Sequence, residues 1–223
     1  MSGQAEVIKA IQEGNAEKLR GLIANDPALA SAKDETGVSA LLHARYRMRE
    51  DLIEILLAAN PQLDIFEAAA LGKTERATQL LQQDPALVHA WSADGFTALH
   101  LASFFGHEGV ARALLERGAE VGAAARNATR VMPLHSAVAT GQYAIAKMLL
   151  ERGAPANARQ QHGFTPLHSA ANRKDAATVE LLLKHGADPS LKSDDGKIPA
   201  DFAEKAGGEE LARKLRRAWV GQA

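Results

Sequence analysis

Three stretches of this 223-residue chain read almost alike: GFTALHLASFFGHEGVARALLERGA from Gly95, VMPLHSAVATGQYAIAKMLLERGA from Val131, and GFTPLHSAANRKDAATVELLLKHGA from Gly163. Leu99, Leu134 and Leu167 are equivalent positions, 35 and 33 residues apart. Self-similarity at such a period belongs to arrays of small units, each completed by its neighbours. The chain is therefore expected to fold by stacking and to act through its surface.

The unit from Ser92 to about Val121 shows the chemistry. Ala93, Asp94 and Gly95 form a turn, because glycine tolerates the positive φ of a tight tip. Thr97 stands where a hydroxyl can cap a first helix, on which Leu99, Ala102 and Phe105 recur at helical spacing. Gly106 stops that helix. Val110, Leu114 and Leu115 then set the apolar face of a second, longer helix, which Gly118 ends. Two short helices leave one side open to water, so a lone unit cannot bury its apolar faces.

A small residue at Ala10, Ala44, Ala68, Ala102, Ala137, Ala170 and Ala203 marks one position of every first helix, with spacings of 34, 24, 34, 35, 33 and 33. A small side chain there lets neighbouring pairs approach closely. The short step lacks about ten residues, the length of one hairpin, so the third unit is expected to enter its first helix directly from Pro61 and Asp64. The segment from Glu13 also matches that from Leu71 at an offset of 58, with Asp26-Pro27-Ala28-Leu29 against Asp84-Pro85-Ala86-Leu87. At the far end Arg213, Lys214, Arg216 and Arg217 lie among Glu209 and Glu210, the charged outer helix that a terminal unit needs.

Gly163-Phe-Thr-Pro-Leu-His-Ser-Ala-Ala171, followed by Val179, Leu181-Leu182 and Gly186-Ala187, closely resembles the ankyrin repeat. The match is strong from Asp94 to Ser190 and looser outside. The resemblance implies an all-α ankyrin-repeat solenoid of seven helix pairs with projecting hairpin turns, one of them missing near residues 58–66. It implies one domain over 1–223, with units near 5–33, 34–61, 62–91, 92–125, 126–159, 160–192 and a cap at 193–220. It also implies a concave face that binds another protein. Arg130 at the hairpin glycine position and Met132 at the threonine position depart from the pattern. An insertion in ARNATR predicts a distorted fifth tip.

Little in the chain suggests chemistry. There is no cysteine, and a net charge of -1 with 24% charged residues disfavours a dedicated nucleic-acid or anionic-membrane protein. His100, His135 and His168 repeat with the units, and equivalent positions 8–10 Å apart cannot converge on one metal ion. In ankyrin-like proteins this histidine hydrogen-bonds the hairpin backbone. His107-Glu108 lacks the second histidine of a zinc-protease helix. No cofactor, metal or catalytic residue is expected, and a monomer in the cytoplasm follows from the charged ends and the absence of a leader-like start.

What remains is the family's variable surface: the tips and the ends of the first helices. Tyr46 and Arg47 occupy it in the second unit, Phe96, Phe104 and Phe105 in the fourth, and His162, Phe164, Asn172 and Arg173 in the sixth, with Trp91 beside the fourth tip. Aromatics and arginines bury much area at little entropy cost, so they make good anchors for a protein partner, centred near Phe96 and Phe104. The alternative for Phe104 and Phe105 is packing between units. Two further readings are a regulatory or inhibitory subunit of an enzyme complex and, remotely, an enzyme of unrecognised type.

Overall fold

The computed structural model describes residues 2–220, so the extreme ends of the expected domain, Met1 and residues 221–223, lie outside the described residues. Fourteen α-helices follow one another there in seven pairs. They are α1 (Gly3–Gln12) and α2 (Ala16–Asn25), α3 (Ala40–Tyr46) and α4 (Glu50–Ala58), α5 (Ile65–Ala70) and α6 (Thr74–Gln83), and α7 (Ala98–Phe105) and α8 (Glu108–Glu116). Then come α9 (Pro133–Thr140) and α10 (Tyr143–Glu151), α11 (Pro166–Asn172) and α12 (Ala176–Lys184), and α13 (Pro199–Lys205) and α14 (Glu209–Val220). The chain divides into two compact units, one ending at Ala98 and the other beginning at Leu99.

The seven alanines of the sequence frame are fully buried, and each plays the same backbone part. Its carbonyl accepts the N–H five residues on, from Asn15 to Ala10 (2.8 Å), Lys73 to Ala68 (2.9 Å) and Gln142 to Ala137 (2.8 Å) through Gly208 to Ala203 (2.8 Å). The residue before that N–H has positive φ every time: Gly14, Met48, Gly72, Gly106, Gly141, Lys174 and Gly207. This left-handed cap satisfies a carbonyl that the helix end would otherwise orphan. First helices pack on first helices, α1 on α3 and α3 on α5 in one unit, α9 on α11 and α11 on α13 in the other. Second helices form a parallel layer, α2 on α4 and α8 on α10 on α12.

Between the layers lie the apolar side chains that the periodicity assigns to the core. Ile11, Leu19, Leu41, Leu52 and Leu56 are buried in the N-terminal unit, and Leu114, Leu134, Ile145 and Leu149 in the C-terminal one. Each contributes about 1.5–3 kcal/mol by leaving water.

Five tips close with matching bonds. Asp34, Ser92, Gln160 and Ser193 donate their N–H to the carbonyls of Val38, Phe96, Phe164 and Lys197, four residues on, at 2.7–2.9 Å. In the fifth unit the closing bond runs from Ala125 to Val131 (2.7 Å), so the insertion widens the tip by two residues, while Arg130 keeps the inner turn bond to the Asn127 carbonyl (3.2 Å). The third unit has no tip. Its α5 starts at once from Asp64, whose Oδ1 accepts the N–H groups of Phe66 and Glu67 at 2.9 Å, while the Glu67 carboxylate accepts that of Asp64 at 2.9 Å. This capping box supplies locally what the absent hairpin would have supplied.

The 58-residue offset is also structural. Both α2 and α6 run ten residues and continue into a 3-10 turn, Pro27–Ser31 and Pro85–His89, entered through an aspartate whose Oδ1 accepts the N–H of Ala28 or Ala86 at 3.1 and 3.0 Å. At the other end α14 buries Leu211, Ala212 and Leu215, while Arg216 pairs with Asp201 and Glu204 and Lys214 with Glu180.

Candidate functional site

Three histidines fix the tips to the stack. The Nε2–H of His100 donates to the Val131 carbonyl (3.0 Å), that of His135 to Ala158 (3.0 Å) and that of His168 to Lys197 (3.1 Å). On the other ring nitrogen, His135 and His168 accept the N–H groups of Met132 and Thr165 at 3.1 Å. His135 and His168 therefore join the start of their own helix to the tip region of the next repeat, and His100 reaches the next tip in the same way. Burial pushes His100 and His135 down to about 4 and lowers His168 as well, so the rings are neutral and serve as fixed hydrogen-bond bridges.

In the N-terminal unit, the missing third tip brings the second and fourth tips together. A Cβ added to Gly37 would stand 3.3 Å from that of Ala93, and the Tyr46 hydroxyl donates to Asp94 Oδ2 at 2.6 Å. Ser92 donates its hydroxyl to the other Asp94 oxygen at 2.5 Å. Burial and the Asp94 carboxylate push the Tyr46 phenol above its ordinary value. Desolvation opposes the ionised form of Asp34 in the second tip, but hydrogen bonds from Thr36, His43 and Val38 still hold that carboxyl below its usual range. Arg47 is exposed and donates to the His43 carbonyl (3.3 Å), while Trp91 and Phe96 are half-buried.

In the C-terminal unit, Phe104 is 37% exposed and meets the half-buried Phe105 edge-on, with ring centroids 5.1 Å apart. Two repeats on, Asn172 and Arg173 end α11 in the open, and Arg173 donates to the Ala139 carbonyl at 3.2 Å. His162 is exposed at the sixth tip with φ 64, its carbonyl accepting the Asp194 N–H at 3.0 Å. Phe164 is half-buried because its ring packs edge-on against His168 (5.6 Å) and Phe202 of the last repeat (5.2 Å).

Two exposed side chains escaped the sequence reading. Met48, 56% exposed, fills the left-handed cap position where five of the other repeats carry glycine, and Tyr143, 43% exposed, opens α10 where the other repeats place small or acidic residues or threonine. Each is an outlier within its column of equivalent positions, and that is the signal by which it could have been found.

Helix pairs capped alike, stacked in layers and, in three successive repeats, bridged to the next by a histidine define a repeat protein whose business is its surface. The chain is an ankyrin-repeat protein: residues 94–126 match the family model described as ankyrin repeat, and residues 124–193 the one described as ankyrin repeats in three copies. None of the curated proteins matches it. Ankyrin repeats are generally protein–protein interaction modules, and the family is typically non-catalytic. Among the described residues no helix is long and apolar enough to cross a membrane.

Proposed function

We propose that the chain is a non-catalytic module that holds a protein partner on its tips and on the ends of its first helices. The observation that carries this reading is the exposure of Phe104 and Tyr143, which lie at and just beyond the ends of adjacent first helices, with Asn172 and Arg173 on the next repeat. Large aromatics left in water beside an arginine are the composition of a binding hot spot. Tyr46, Arg47, Met48, Trp91 and Phe96 offer a second set in the N-terminal unit, and Phe105, His162 and Phe164 complete the first.

The test is affinity capture from the source cells with the wild type and a Phe104→Ser, Tyr143→Ser variant. Exposed substitutions away from the core typically change stability by less than about 0.5 kcal/mol. The variant is expected to melt within about 2 °C of the wild type and to lose the recurrent partner. A large fall in melting temperature, or a partner retained in full, overturns the assignment of these residues.

A further inference from the structure

The fifth repeat differs from its neighbours in charge as well as in shape. Residues 126–159 hold Arg126, Arg130, Lys147, Arg152 and Arg159 against a single Glu151, whereas the three units over 34–125 hold seven cations against thirteen anions. Three of the arginines belong to the tips. Arg126 and Arg130 are exposed on the widened fifth tip, and Arg130 occupies, at φ 51, the turn position that Gly37, Gly95, Gly163 and Gly196 fill elsewhere. An arginine there is less comfortable than the glycine it replaces. The Thr129 carbonyl beside it accepts the Gln161 N–H at 2.9 Å, which fastens the fifth tip to the sixth. From the base of the sixth tip, exposed Arg159 reaches Asp194 at 3.4 Å, a loose pair between open side chains that a better acceptor can displace.

Resting on the reading of the chain as a binding module, we infer that the fifth and sixth tips, joined by the bond from Gln161 to Thr129, together form an arginine-lined seat for an acidic segment of the partner protein. Arginine presents a fork of N–H donors that takes a carboxylate two-pronged, which lysine does not. The seat is about one repeat wide, on the order of 10 Å, and so accommodates two or three carboxylates. Nucleic acid fits it poorly: a duplex carries a charge about every 1.7 Å along its whole axis, and the rest of this chain is net acidic.

The experiment is fluorescence anisotropy on the full chain with a fluorescein-labelled decapeptide of glutamate and serine. An Arg130→Gly, Arg159→Gln variant is compared with a Lys147→Gln, Arg152→Gln variant that loses the same charge from α10 and the residue after it. Glycine suits the backbone at position 130, so the first variant keeps its fold, as circular dichroism will check. It is expected to bind at least about tenfold more weakly at 50 mM salt, with the second within about twofold of wild type and wild-type binding falling as salt is raised. No binding by the wild type, an equal loss in both variants, or tighter binding of a single-stranded oligonucleotide of equal charge overturns the inference. So does self-association that the first variant abolishes, which would assign the seat to the acidic units of a second copy. If the Arg130→Gly, Arg159→Gln variant still captures the partner that the Phe104→Ser, Tyr143→Ser variant loses, the seat fails and the binding module stands.

Discussion

At the scale of single residues, the bridging histidines tie stability to pH. His100 and His135 are held down to about 4, against 6.5 for the free side chain. The unfolded chain therefore binds more protons than the folded one between those values. Their contribution is fully present above pH 6.5 and is lost as pH falls toward 4, on the order of 3 kcal/mol each at the limit. The carboxylates held low, such as Asp34, act only below their ordinary value near 3.8. A comparison of urea midpoints at pH 7.5 and pH 5 reads chiefly the imidazoles, with Glu67, whose carboxyl is raised by burial and by Asp64, acting in the opposite sense, and the midpoint is expected to drop at pH 5. His135→Gln is expected to be less stable at pH 7.5, because the bridge to Met132 and Ala158 is weakened, but to show a shallower fall. An unchanged pH dependence in that variant would remove His135 from the account.

At the scale of elements, the frame was legible because backbone demands recur with the period. The alanine column, the left-handed cap after each first helix, the five tips and the direct start at Asp64 all follow from residue types that the backbone leaves little freedom to choose. The side-chain surface was less legible. Phe164 packs against Phe202, and Tyr46 reaches Asp94 across 48 residues, only because particular tips meet, which no local pattern encodes. The missing hairpin was visible in the spacing; the closure of the second tip on the fourth was its spatial consequence. Two substitutions of opposite sign test this frame. Asp64→Ala removes the cap of a helix that has no hairpin to support it, and is expected to cost about 1 kcal/mol. Met48→Gly relieves a non-glycine residue at φ 53 and is expected to be neutral or to stabilise by up to about 1 kcal/mol, despite the freedom that glycine adds to the unfolded chain. Urea unfolding of both variants decides, and a destabilised Met48→Gly would show that the methionine packs more than its exposure suggests.

At the scale of the whole molecule, a stack completes each repeat with its neighbours, so the cost of a cavity depends on where it falls. Leu149 on α10 is fully buried in a repeat that has neighbours on both sides, α10 packing on α8 and on α12. Leu211 on α14 is 8% exposed in the last repeat, which rests on α13 and has no further repeat after it among the described residues. Truncating a buried leucine to alanine costs about 2–5 kcal/mol. In a quasi-one-dimensional array, however, a terminal repeat can detach while the others remain joined, whereas an interior one takes two interfaces with it. Leu149→Ala is thus expected to lower the urea midpoint of the whole C-terminal unit. Leu211→Ala is expected to leave the main transition close to wild type and to speed amide exchange selectively in α13 and α14. Exchange read by mass spectrometry separates the two patterns. Uniform acceleration across residues 99–218 in the Leu211→Ala variant would mean that the last pair is no detachable cap but part of one cooperative block.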